Sequence, residues 1–160
     1  MSVARSKYGA APLRNEALIE EASQAYSRGD PLQPDSTATN EVEIYDDSAG
    51  KIVGIATKAA TGVTSAPAFI HEVHEGTILE ANAVNESSAT AIAQTHINHK
   101  FGLKESTNGS WIVDLADAVG SSSSVRAIIT GLAGMAQIGD TNPRVEFVII
   151  PENLWFEVED

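Results

Sequence analysis

Residues 144–150 read Arg-Val-Glu-Phe-Val-Ile-Ile, and this stretch decides the fold class. Val145, Phe147 and Ile149 fall on one face of an extended chain, the period of two that a strand imposes. The opposite face begins polar, with Arg144 and Glu146, and turns apolar at Val148 and Ile150. The strand is therefore expected to be covered on both sides towards its end. Pro151-Glu152-Asn153 then turns the chain, and Leu154–Val158 is expected to close it as a last strand. Trp155 and Phe156 are neighbours there and must face opposite sides. A small β-domain that is apolar on both faces needs a cover from elsewhere. Trp155, Phe156, Val148 and Ile150 are accordingly the candidate self-association surface.

Strand signals continue upstream of this stretch. Val125–Leu132 is a strand rich in isoleucine, joined to it by a long Gly-containing connection from Gly134 to Pro143. Asn108-Gly109 is a strong turn, with Phe101-Gly102-Leu103 leading in and Trp111–Leu115 leading out. Ala66–Val73 and Thr77–Ala83 flank His74-Glu75-Gly76 and read as a hairpin. Glu41–Asp46 and Lys51–Thr57 flank Asp47-Ser48-Ala49-Gly50 and read as another. Gly54 inside the second of these strands points to a bulge or a close backbone approach. Gly120 to Ser124 is a flexible loop.

Two segments carry helical spacing. In residues 13–26, Leu13, Ala17, Leu18, Ala22, Ala25 and Tyr26 line one face. Residues 86–99 form a second, shorter candidate with Ser87 or Ser88 as its cap. The expectation is a mainly β chain: a compact β-barrel or sandwich of about nine short strands, one or two short helices and an extended N-terminal arm. Residues 1–20 are assigned to the arm and residues 21–160 to a single β-rich domain. Helical segments do not alternate with strands, so βαβ units do not fit, and no internal repeat is present.

The chain has 160 residues, enough to bury a core unaided. It has no cysteine, which excludes disulfides, thiol catalysis and thiolate zinc sites. Its 22 acidic residues against ten Lys and Arg give a net charge of −12, an unfavourable balance for nucleic acid or anionic lipid. The charge is uneven. Residues 1–15 hold Arg5, Lys7 and Arg14 and no acid, whereas residues 29–160 hold six basic and 19 acidic residues. A basic leader precedes an acidic body. No run approaches the roughly 20 apolar residues of a membrane span. The basic N-terminus lacks the apolar stretch of a secretory signal, so a soluble protein made without export is expected.

Chemistry-bearing residues are sparse. His71 and His74 lie three apart on a strand-to-turn segment and face opposite ways, and His96 and His99 have no carboxylate or thiolate at matching spacing. No metal site is expected. Ser121 to Ser124 lack the context of a nucleophile elbow. The glycines from Gly131 to Gly139 have no phosphate-loop spacing and no following lysine. Asp46-Asp47 and Asp114/Asp117 match no calcium-loop pattern. Arg28-Gly29-Asp30 spells an adhesion tripeptide but also reads as an ordinary turn. No enzyme and no cofactor are expected. Trp111, Trp155, Phe147 and Phe156 read as core anchors rather than a binding box, although one of the neighbours Trp155 and Phe156 must leave the barrel interior.

Several short motifs follow one another in a particular order. Gly29-Asp30-Pro31-Leu32-Gln33 comes first, then Ile52-Val53-Gly54-Ile55-Ala56 and a run of Ala, Thr and Ser. Thr77-Ile78-Leu79-Glu80-Ala81, the segment from Gln94 to Leu103, and Asn108-Gly109-Ser110-Trp111-Ile112-Val113-Asp114 come next. Gly139-Asp140 through Arg144-Val145-Glu146-Phe147 ends the series. This order, over residues 21 to 158, resembles the head decoration (cement) proteins of tailed bacteriophages. Each motif is weak alone, and the order carries the resemblance. Two places depart from it: Ile78-Leu79 stands where the family usually has Phe, and Asn98-His99-Lys100 where it more often has Gly. Residues 1–20 lie outside it.

The resemblance implies a structural protein on the outer surface of the virion head, made in the host cytoplasm. Its partners would be the major capsid protein and further copies of itself, with a trimer favoured over a dimer. Nucleic acid and membrane would not be partners. The basic leader is the expected capsid-docking arm, with Arg5, Lys7, Tyr8, Leu13 and Arg14 as its contact residues. The rival readings are a metal-dependent barrel built on the histidine pairs, and a receptor- or glycan-binding tail module that stacks sugars on Trp155 or Trp111.

Overall fold

The computed structural model describes residues 18–35, 40–46, 51–118 and 125–155. Among the described residues ten strands form two groups of five, and the fold is mainly β, as the alternating stretches require. The first half of the chain supplies β1 (Ile19–Glu20), β2 (Pro31–Pro34), β3 (Glu41–Ile44), β4 (Gly54–Ala56) and β5 (Ile70–Glu72). Their order in the sheet is β1-β3-β2-β4-β5. The second half supplies β6 (Leu79–Val84), β7 (Lys100–Glu105), β8 (Trp111–Ala118), β9 (Val125–Leu132) and β10 (Arg144–Ile149). These close into a barrel in the order β10-β6-β8-β7-β9. Every barrel pair is antiparallel except β6 with β8.

β10 sits as its sequence requires. Val145, Phe147 and Ile149 point into the barrel and are buried, while Arg144, Glu146 and Val148 face outward. Phe147 lies opposite Leu79 on β6 and Ile129 on β9, all three fully buried. Burying a side chain of this size contributes about 2–3 kcal/mol. The barrel interior also packs onto the first sheet, because Tyr45, Ile52, Ile55 and Val73 belong to the same apolar cluster. Tyr45 and Trp111 meet across that junction with ring centroids 5.5 Å apart. A second cluster of Tyr26, Leu32, Val42, Val53, Ala56, Ala68 and Ile70 fills the other face of the first sheet, and Ile44 touches both.

The first sheet has a sealed edge. Ile19 bridges Pro67, Glu20 N–H donates to the Ala66 carbonyl at 2.8 Å, and Ala68 N–H donates to the Leu18 carbonyl at 3.0 Å. The segment just before β5 thus covers β1, which removes an exposed row of backbone donors and acceptors.

Several expectations change. Residues 18–26 are not helical: Ile19 and Glu20 pair in parallel with β3. Ala22 and Ala25 are exposed, so an alanine-based stripe gives a helix little to bury, whereas Ile19 gains backbone partners on both sides. The boundary drawn at residue 20 therefore falls inside the sheet. Residues 86–99 contain only a 3-10 turn, Gln94–His96. Asn85 Oδ1 accepts from the backbone N–H groups of Ser87 and Ser88, and Ile92 pairs with the loop at Gly139 and Asp140. Local side-chain bonds and that pairing replace the helix.

Both expected early hairpins are also rearranged. β3 and β4 do not pair with each other but flank β2 on its two sides. The turn at His74–Thr77 exists, with Thr77 N–H donating to the His74 carbonyl at 3.0 Å, yet it carries the chain out of the first sheet and into the barrel. Of the expected last strand only Leu154 and Trp155 are described: Leu154 makes a parallel bridge with Ile52 after a 3-10 turn at Pro151–Asn153, and residues 156–158 lie outside the described residues. The turn at residues 47–50 and the loop at residues 120–124 lie outside the described residues. The Asn108-Gly109 hairpin between β7 and β8 is present as read, with Gly109 at φ 75°.

Gly54 also fulfils its reading. A Cβ built there would stand 2.6 Å from the backbone oxygen of His71 on β5. β4 and β5 approach so closely that only a residue without a side chain fits.

Candidate interaction surface

The expected contact residues of the arm, Arg5, Lys7, Tyr8, Leu13 and Arg14, lie outside the described residues, as does Phe156. The other three self-association residues separate. Trp155 is 49% exposed on a bend, with its N–H donating to the Ile52 carbonyl at 3.0 Å. Val148 is half-buried on the outer barrel face, opposite Ile128 on β9. Ile150 is only 8% exposed, and its N–H donates to the Arg126 carbonyl. The chain's own fold covers Ile150, so it offers no surface to another copy.

A different apolar point is exposed at the far end of β10. Met135 is 95% exposed and Ile138 is also exposed, both in the loop between β9 and β10. The loop is tied down. Gly139 N–H donates to the Ile92 carbonyl, Ile92 N–H donates to Asp140, and Gln137 N–H donates to the Asp140 carboxylate at 2.8 Å. Fixed backbone presents two apolar side chains to solvent, and a shallow depression of about 480 Å³ lies beside Met135 and Pro143. The sequence marks this stretch as a Gly-containing connection without phosphate-loop spacing, and neither reading singles out Met135 or Ile138. The available signal was two large apolar residues in a glycine-marked turn segment with neither strand nor helix period to bury them.

The barrel flank next to it is polar. A groove of about 250 Å³ runs past Asn82, Ser106, Asn108, Ser110 and Asn142. Arg144 closes one side and donates from Nε to Glu80 at 2.8 Å. Lys104 lies 2.7 Å from the buried Asp114 and 3.4 Å from Glu86. Its hydrogen bond to Asp114 holds the ammonium above its ordinary pKa. Glu86 is pulled below the usual carboxylate range, first by the Thr107 backbone N–H and then by Lys104. These pairs brace the Asn108-Gly109 hairpin against the residues that follow β6.

The histidines do not assemble. His74 Nε2 lies 3.2 Å from Glu72, His96 Nδ1 accepts from the Ala93 N–H, and the His96 ring meets Phe101 edge-on. No histidine belongs to a set of three close ligating side chains among the described residues. The tripeptide Arg28-Gly29-Asp30 is folded into a turn: Gly29 is buried at φ 100°, and the Asp30 carboxylate accepts from Ser27 N–H at 2.7 Å.

The chain matches no protein-family profile and no curated protein.

Proposed function

We propose that this protein is a head decoration protein of a tailed bacteriophage, which binds the outer face of the assembled head and clamps neighbouring major capsid proteins. The supporting observation is the motif order, together with where the motifs fall. Gly29 turns the chain into β2, Ile52–Ala56 leads through β4, and Thr77–Ala81 enters β6. Gln94–Leu103 spans the 3-10 turn and the start of β7, Asn108–Asp114 makes the β7–β8 hairpin, and Gly139–Phe147 leads into β10. Each motif thus occupies a strand entry or a tight turn.

In this reading the basic leader supplies charge complementarity to a capsid subunit, and many copies add weak contacts into a large effect. Met135, Ile138 and Trp155, with the exposed Val63, are candidate apolar contact points on the described body, for the capsid or for further copies in a trimer. The acidic body keeps virions mutually repelling. No catalytic group is required.

Co-sedimentation with expanded heads tests the reading, alongside a mass-spectrometric census of purified virions. Hundreds of copies per particle are expected, and a few copies would indicate a tail component. Removal of residues 1–17, which leaves β1 intact, is expected to weaken head binding by about tenfold or more. Unchanged affinity of the truncated chain would remove the arm from the reading.

A glycan-binding module of a tail or spike is the second reading, and the exposed Trp155 favours it. It predicts that the isolated protein binds glycans and that Trp155→Ala abolishes this binding. Head binding without glycan binding excludes it.

A further inference from the structure

The turn between β7 and β8 holds Asn108-Gly109, the only asparagine-glycine pair in the sequence. Ser106 N–H donates to the Ser110 carbonyl at 2.8 Å and closes the turn. Asn108 folds its side chain back along the backbone, as asparagine does in turns. Its Oδ1 accepts from Ser110 N–H at 3.2 Å and from the Ser106 hydroxyl. Thr107, Asn108 and Gly109 are all exposed. Beyond its chain neighbours, a Cβ built at Gly109 would meet only Glu105 Oε1, at 3.6 Å, so the space beside this residue is open. One backbone bond holds the Gly109 nitrogen: its N–H donates to the Ser106 carbonyl at 2.9 Å.

We propose that Asn108 is a site of spontaneous covalent modification, at which the folded turn converts the side-chain amide to a succinimide and then to isoaspartate or aspartate. The Gly109 nitrogen gives its proton to hydroxide and attacks Cγ of Asn108. A C–N bond forms, and the Cγ carbonyl becomes an oxyanion. Its collapse expels the side-chain nitrogen, which takes up a proton and leaves as ammonia. Water then adds to one of the two ring carbonyls and the C–N bond at that carbonyl breaks. Opening at Cγ gives aspartate; opening at the backbone carbonyl gives isoaspartate, whose main chain runs through Cγ. The net change consumes one water and releases one ammonia, with no oxidation or reduction. Negative charge develops on Oδ1, where the Ser106 hydroxyl and Ser110 N–H already donate. Donors aimed in advance at a developing oxyanion lower the barrier.

The other described asparagines lack this chemistry. Asn40, Asn82, Asn85, Asn98 and Asn153 precede residues with side chains, which crowd the attacking nitrogen, and Asn142 precedes Pro143, which has no N–H to lose. The product has local consequences. A new carboxylate would stand in the polar groove that Glu86 also lines, close to Glu105. Glu86 accepts from Thr107 N–H at 2.9 Å and so ties the turn to the residues after β6. Like charges at this spacing oppose that tie. Isoaspartate adds a methylene to the main chain as well, which breaks the Ser106–Ser110 register. Conversion therefore loosens the hairpin. The proposal does not depend on the head-decoration reading.

Incubation of the folded full chain at mildly alkaline pH tests it, followed by peptide mapping by mass spectrometry and an assay for released ammonia. Amide-to-acid conversion is expected at Asn108 ahead of every other asparagine, with isoaspartate among the products and one ammonia per converted chain. Ser106→Ala removes one oxyanion donor and is expected to slow conversion about two- to tenfold. Gly109→Ala crowds the nitrogen and is expected to slow it by about tenfold or more. No conversion at Asn108, conversion spread evenly over the asparagines, or an unchanged rate in Ser106→Ala or in Gly109→Ala overturns the assignment. Should the variants fail to fold, the unaltered chain decides, mapped side by side in native buffer and in denaturant. Conversion of Asn108 at least as fast in the folded chain supports the role of the turn, and slower conversion there overturns it.

Discussion

Gly54→Ala is expected to destabilise the protein by about 3 kcal/mol, lowering Tm by roughly 6–12 °C. The added methyl would stand 2.6 Å from the His71 carbonyl oxygen and 3.2 Å from Ile70 Cδ1. The oxygen belongs to backbone paired with β4, through Gly54 opposite Glu72 and Ile55 opposite His71. It cannot swing away as a side-chain tip would. β4 and β5 must part, and the cores on the two faces of the sheet are disturbed together, because Ile55 packs towards the barrel and Ala56 towards the second cluster. Gly76→Ala is the control. Gly76 has φ 78° and open space around it, so alanine there costs only the strain of left-handed backbone, about 1 kcal/mol. Equilibrium unfolding of both variants separates contact from conformation. Equal losses would mean that the close approach at Gly54 is not what the residue is for.

Glu20→Ala is expected to cost about 3 kcal/mol. Glu20 is 1% exposed, yet its carboxylate is fully engaged. It accepts from Thr61 N–H at 2.9 and 3.0 Å, from the Thr61 hydroxyl at 2.9 Å and from Gly62 N–H at 3.2 Å. These bonds hold the 61–62 turn against β1, beside the backbone pairing that seals the sheet edge. Burial, and then the charge of Glu20, also push the Tyr26 hydroxyl well above its ordinary pKa and keep it neutral. Alanine strands the turn's donors, so the turn should lift from β1. Hydrogen exchange at Thr61 and Gly62 is expected to accelerate together with the loss of stability. Glu20→Gln should fall between the two, because an amide keeps one acceptor but sets an N–H₂ group among donors. Stability unchanged within about 0.5 kcal/mol in Glu20→Ala would remove this role.

Much of the fold was legible in local pattern. The isoleucine-rich run Val125–Leu132, the period of two in Arg144–Ile149 and the Asn108-Gly109 turn are properties of a few consecutive residues, and all three hold in the structure as two strands and a hairpin. Gly54 was legible for the same reason: a glycine inside an apolar strand signals a missing side chain. Helical spacing failed over Leu18–Tyr26 because its face was mostly alanine, and sheet pairing with two distant segments outweighed it. The hairpin signal at residues 74–76 marked a place where the chain turns. It did not name the partners, since a turn reports its own dihedral angles and nothing about the strand beyond.

The candidate surfaces divide the same way. Exposure of Trp155 and burial of Ile150 are separated by five residues and decided by Ile52 and Arg126, which lie elsewhere in the chain. The acidic residues of Glu41–Asp46 and the lone Glu21 and Asp35 were visible as charges, and no metal was expected from them. Their convergence depends on a parallel pairing of β1 with β3 and an antiparallel pairing of β2 with β3.

By itself, then, the sequence determined that the chain is β, that it has a basic leader on an acidic body, and which residues face inward along Arg144–Ile149. Those are consequences of covalent geometry, side-chain period and charge, all local. Only the tertiary structure decided that the strands divide into a sheet with a sealed edge and a five-stranded barrel, that Met135 rather than Ile150 meets solvent, and that the carboxylates of Glu21, Asp35 and Glu43 converge. Each of these rests on pairing between segments far apart in the chain, and the free energy of such pairing comes from partners that no short stretch of sequence contains.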